Sequence, residues 1–146
     1  MREFIASAPY LVALSAGFLA QFSKFLAYWA RHRQINFTQL VTTGGMPSAH
    51  SASVAALSTS VAFRSGTEST LFGVTVFFSL VIMYDAAGLR RAAGIQARVL
   101  NRIVKDHYEH REGHLPEHLQ ELLGHTPFEV LVGAFLGVLY GSLWYL

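Results

Sequence analysis

The sequence predicts an all-α fold: an integral membrane helical bundle of about four membrane-spanning helices, with an amphipathic helix on the cytoplasmic face. Three observations lead there. Of 146 residues, 52% are hydrophobic and only 14% charged, and the mean hydropathy is +0.35, too apolar for an ordinary soluble domain of this size. The apolar residues gather into runs long enough to cross a hydrocarbon layer about 30 Å thick. The charges that remain flank those runs and leave their interiors free. The length fits one domain, residues 1–146. The absence of cysteine excludes disulfides, thiolate metal sites and cysteine nucleophiles, and a net charge of +2 is too small to suggest a nucleic-acid partner.

The first run extends from about Phe4 to Phe22, with Arg2 and Glu3 ahead of it and Lys24 behind. Its charged start is minimal, and the small residues at Ala6–Ala8 come too early for a cleavage site, so an uncleaved membrane helix is expected. Phe25, Leu26, Tyr28 and Trp29 carry the helical spacing on toward Arg33, with aromatics suited to the interface. A second helix is expected from near Pro47 to about Phe63. Ala52/Ala56 and Ser51/Ala55 place small residues four apart, the pattern of a helix enclosed by others. After a turn at Arg64–Thr67, the third helix, Thr70 to Ala86, is the plainest span.

From Asp85 the character changes. Ile95, Val99, Leu100, Ile103 and Val104 share one face of an amphipathic helix, opposite Arg98, Arg102 and Lys105. A short helix from Pro116 to Leu123, closed by Gly124, precedes the last one, Pro127 to Leu146. His107, His110, His114 and His118 match no familiar metal-ligand spacing and read as a solvated loop; no metal is expected. Gly133, Gly137 and Gly141 form a tandem Gly-x-x-x-Gly stripe, the mark of a close helix contact, and a homodimer through this face is one expected use of it.

If four helices cross, the eleven cationic side chains sort unevenly. Lys24, Arg31, Arg33, Arg90, Arg91, Arg98, Arg102, Lys105 and Arg111 fall on one side, and Arg2 and Arg64 on the other. The positive-inside rule puts the first side in the cytoplasm and both termini opposite. The polar stretches meet at that same cytoplasmic face.

The central stretch is Gly44-Gly45-Met46-Pro47-Ser48-Ala49-His50-Ser51-Ala52. Its glycines free the backbone to approach a ligand, Pro47 suits the first turn of a helix, and the helix mouth attracts anions. His50 places a proton donor in that cradle. At the head of the last helix, His125 and Glu129 are four apart, so a carboxylate can hold an imidazole in one tautomer. Thr126-Pro127-Phe128-Glu129 is also a capping box, which gives Glu129 a second, structural duty. Lys24 and Arg31 read either as anion ligands or as a snorkelling interfacial pair, and Asp85 as a partner of Arg90 or Arg91.

Four blocks in order, Gly44–Ala52, Met83–Arg91, Gly94–Asn101 and Leu122–Val130, resemble the divergent branch of the type-2 phosphatidic acid phosphatase superfamily, proteins related to acid phosphatases and vanadium-dependent haloperoxidases. The resemblance runs from about Gln21 to Gly141. Lys24 and Arg31 match the parent first motif, with His32 in place of its proline. Pro47-Ser48-Ala49-His50 matches the second, with alanine for glycine, and makes His50 the general acid. His125 and Glu129 match the nucleophilic histidine and its acid in the third. The serine and arginine that precede that histidine are here His118 and Leu119, so Arg90 or Arg91 would have to supply the guanidinium.

The resemblance implies a metal- and cofactor-independent phosphatase of a lipid phosphate monoester or diphosphate at the bilayer surface. Lys24, Arg31, Arg90 or Arg91 and Ser48 would hold the phosphate, with Gly45 and Asp85 in support. His125 would attack phosphorus and His50 would protonate the leaving oxygen. Two alternatives stay open: a binding protein that keeps the cradle without turnover, and a structural membrane protein.

Overall fold

The computed structural model describes residues 8–37, 44–108, 119 and 124–146. The expected short helix Pro116–Leu123, apart from Leu119, and the loop residues His110, His114 and His118 lie outside them. Five helices follow in order: α1 Pro9–His32, α2 Ala49–Ser65, α3 Thr70–Ala87, α4 Leu89–Tyr108 and α5 Pro127–Leu143. There is no strand among the described residues. The fold is the predicted all-α membrane bundle. Helix α1 and the run that begins with α3 are long and apolar enough to cross a membrane, and α5 is apolar but shorter.

Helix α2 is the axis of the bundle, packed against α1, α3 and α5. Its composition explains why. Ser51, Ala52, Ala55, Ala56, Ser58, Ser60 and Val61 are buried around most of its circumference, and side chains this small let three neighbours approach its backbone. Helix α1 answers with one stripe of Val12, Ala16, Ala20 and Lys24. The innermost cluster, Val12, Ala16 and Ala56, is roofed by Tyr140 and Trp144. Polar clasps join the helices where hydrocarbon offers no competing partner: Ser79 Oγ lies 2.9 Å from Ser58 Oγ and donates to the Val54 carbonyl at 3.0 Å, and the Tyr140 hydroxyl donates to Ser15 Oγ at 3.0 Å. Such bonds contribute about 0.6 kcal/mol each in membranes. By contrast α3 buries only Ser79 and Ala86 and turns Phe77, Phe78 and Leu80 outward to lipid.

Three expectations are corrected. Helix α2 begins at Ala49, with Ser48 as N-cap, so Pro47 stands outside the first turn. The reason is the Ser48 hydroxyl, which accepts the Ser51 N–H and does what a cap requires; the residue before it need only deliver the chain. The glycine stripe, expected as a dimer face, is occupied within the chain. A Cβ at Gly133 would stand 2.4 Å from the Ser48 carbonyl oxygen, and one at Gly137 2.2 Å from that of Ala52. Helix α5 therefore lies backbone to backbone on α2. The last helix also stops at Leu143, short of the expected Leu146.

Candidate active site

The end of α1, the mouth of α2, the end of α3 and the mouth of α5 come together, and backbone hydrogen bonds fix their register. The Ser48 N–H donates to the Glu129 carbonyl at 3.1 Å, and the His125 N–H to the Ala86 carbonyl at 2.9 Å. The first and fourth sequence blocks are thus bolted together, and the fourth is bolted to the end of α3.

His125 is buried, 3% exposed, immediately before the N-cap of α5. The capping box there is complete: Thr126 Oγ1 accepts the Glu129 N–H at 3.3 Å, and Glu129 Oε2 accepts the Thr126 N–H at 2.9 Å. That same Oε2 lies 3.4 Å from His125 Nδ1. The approach is an ion-pair contact outside hydrogen-bond geometry, and it leaves Nδ1 buried without a hydrogen-bond partner. The oxygen that completes the cap is therefore the one that faces His125. Burial pushes the His125 imidazole below its ordinary value of 6.5, and the Lys24 ammonium pushes the same way. The Glu129 carboxylate and a hydrogen bond to the Gly45 backbone oppose them without cancelling them. The ring is held neutral near pH 7, the form in which a nitrogen lone pair can attack.

His50 projects from the first turn of α2 and is exposed. Its ring stands edge-on to that of His125, centroids 6.4 Å apart and planes inclined by 66°. Lys24 is 9% exposed; its Nζ donates to the Gly44 carbonyl at 2.9 Å and to Gln21 Oε1 at 3.2 Å. Gly44 and Gly45 both hold positive φ, 102° and 75°, which a residue with a side chain adopts only at a cost. This turn brings the Gly44 carbonyl onto the ammonium and the Gly45 backbone onto His125.

Ser48 has no exposed surface. Its Oγ accepts from both the N–H and the hydroxyl of Ser51, the latter at 3.0 Å, so its lone pairs serve the helix start and only its own O–H remains to donate. Arg31 is exposed on α1, about 10 Å along the axis beyond Lys24 at 1.5 Å per residue. Asp85 is half-buried at the end of α3, Arg91 is exposed in the first turn of α4, and the Arg90 side chain lies outside what the structure describes. The structure thus gathers Lys24, Gly45, Ser48, His50, His125 and Glu129, and leaves Arg31 and Arg91 at the rim.

One partner in the site, and one pairing outside it, escaped the sequence reading. Gln21 holds Lys24 from one turn earlier, a partner that the three-residue spacing could have suggested. Asn101, on α4, clasps the backbone of Leu119 from both sides: Nδ2 donates to its carbonyl at 2.8 Å, and Oδ1 accepts its N–H at 3.0 Å. Nothing in the local pattern signals that second pairing.

No solved structure matches the chain. The chain is 40% identical to the uncharacterized membrane protein YuiD of Bacillus subtilis (strain 168), over 94% of this chain and 93% of that protein. The model of the Divergent PAP2 family matches residues 5–140. That span includes every element of the site just described, and this membrane protein belongs to the Divergent PAP2 family.

Proposed function

We propose that the protein is a membrane phosphatase that hydrolyses a lipid phosphate monoester or diphosphate through a phosphohistidine intermediate. The observation that carries this reading is the 6.4 Å separation of the His50 and His125 rings. Rings this close can serve one phosphate group together, one at phosphorus and the other at the leaving oxygen. The neutral imidazole of His125 supplies the nitrogen lone pair that attacks. An N–P bond forms as the bond from phosphorus to the leaving oxygen breaks, and His50 gives that oxygen its proton. Water then attacks phosphorus, its proton passes to His50, the N–P bond breaks and phosphate departs. Lys24, Arg31 and Arg90 or Arg91 neutralise the phosphoryl oxygens, and Ser48 and Asp85 support the cradle. Glu129 stabilises the His125 ring as charge develops on it.

Arg31 and Arg33 at the end of α1, with Arg91, Arg98, Arg102 and Lys105 on α4, favour a cytoplasmic site, while Arg64 lies at the far end of α2. The test is phosphate release from a panel of lipid phosphates by the purified full chain. His125→Ala should lower release by about 10³-fold or more while the helical content and detergent-solubilised size stay unchanged. Undiminished release by that variant would overturn the proposal.

A further inference from the structure

Helices α3 and α5 both lean on α2 and meet one another only lightly, so a groove of about 630 Å³ opens between them. Phe77, Val81, Tyr84 and Ala87 of α3 form one wall, and Pro127 and Leu131 of α5 the other. We infer that this groove seats the hydrocarbon chain of the substrate while its phosphate lies at His125. The inference rests on the phosphatase reading and adds to it where the lipid tail lies.

The groove is continuous with the site at one end. Ala87 follows the residue whose carbonyl accepts the His125 N–H at 2.9 Å, and Pro127 comes two residues after His125. Both walls thus begin within one or two residues of the histidine. From Ala87 to Phe77 the wall descends ten residues, about 15 Å at 1.5 Å per residue. That is about half the hydrocarbon thickness of a bilayer, so the groove spans one leaflet with its head end at the histidine face. The residues that line it explain why it stays open. The glycine face of α5 is consumed against α2, which leaves Leu131 directed away from the bundle, and α3 presents large side chains to lipid here.

A chain in a bilayer is already out of water, so the groove gains little from the hydrophobic effect. What it supplies is position: a tail held along α3 brings its phosphate to His125 in one orientation. The test compares butyl phosphate with hexadecyl phosphate on the detergent-solubilised full chain carrying Val81→Trp or Leu131→Trp. Both residues are lipid-exposed and outside the catalytic machinery. Each variant should hydrolyse hexadecyl phosphate at least about tenfold more slowly and butyl phosphate at the unaltered rate. A hexadecyl phosphate bearing a photoreactive group midway should cross-link between Phe77 and Ala87, and unlabelled hexadecyl phosphate should compete. Equal losses on both substrates, no loss on either, or labelling that the unlabelled lipid leaves unchanged, as expected of bulk bilayer lipid or a second copy, would overturn the inference. If no phosphate ester is hydrolysed, the phosphatase reading fails by itself, and competed labelling still upholds the groove.

Discussion

Replacing Gly133 with alanine adds one methyl group where α5 lies against the mouth of α2. Its Cβ would stand 2.4 Å from the Ser48 carbonyl oxygen, 3.0 Å from the Ser48 nitrogen and 3.1 Å from its carbonyl carbon. Ordinary contact begins at 3.4 Å, so the oxygen and the new methyl must separate by about 1 Å. Neither side yields easily. The Ser48 N–H is bonded to the Glu129 carbonyl and its carbonyl accepts the Ala52 N–H at 3.0 Å, so what moves is the mouth of α2 against the mouth of α5. Overpacking of this kind costs about 1–3 kcal/mol. A shift of about 1 Å between the elements that carry His50 and His125 lowers turnover by about 10²-fold. Gly73→Ala is the matched control, because a Cβ there meets nothing within 4 Å; it should hold turnover and raise stability by about 0.5–1 kcal/mol. The assay is thermal unfolding in detergent beside phosphate release from a lipid phosphate. A Gly133→Ala protein with the parent midpoint and the parent turnover would refute the reasoning.

The remaining predictions concern Glu129 and His125. Glu129→Gln keeps an acceptor for the Thr126 N–H and removes the carboxylate beside His125, so stability should change by less than about 0.5 kcal/mol while turnover falls about 10²-fold. Glu129→Ala should lose about 1 kcal/mol as well, since the cap goes with it; turnover that survives both changes would reduce Glu129 to a capping residue. For pH, the folded protein holds His125 below its ordinary 6.5. Above 6.5 neither state binds the proton, and stability is unaffected by it. As pH falls through 6.5 toward the lowered value, the unfolded chain binds a proton that the folded one refuses, and stability declines. Unfolding midpoints measured from about pH 7.5 to 5 should drop more steeply for the parent than for His125→Ala; parallel curves would contradict the assignment.

The site was legible in proportion to how local its parts are. Three-residue spacing within one turn showed the Thr126–Glu129 capping box, which formed as read, and four-residue spacing showed Glu129 beside His125, where the two stand 3.4 Å apart without the hydrogen bond that would fix a tautomer. Pro47 was read into the first turn of α2 because Pro47 and Ser48 each suit a helix mouth, and the side-chain cap from Ser48 decides between them. Arg31 and Lys24 share a helix face by spacing, yet one is exposed and the other buried, since only the lower turn of that face meets the Gly44 turn.

By itself, then, the sequence determined that the chain is an all-α membrane bundle, where its helices run, and that α4 is amphipathic, because hydropathy and periodicity are properties of consecutive residues. Periodicity also marked the glycine face, but a small-residue stripe says only that some backbone comes close. Tertiary structure decided that the backbone is that of α2 in the same chain. It decided as well that Lys24 is anchored on the Gly44 carbonyl, that α3 and α5 part to leave a groove, and that His50 and His125 stand 6.4 Å apart. Those facts depend on how separate helices pack, and packing is settled by backbone contacts between elements, such as Ser48 with Glu129 and His125 with Ala86, that no local pattern records.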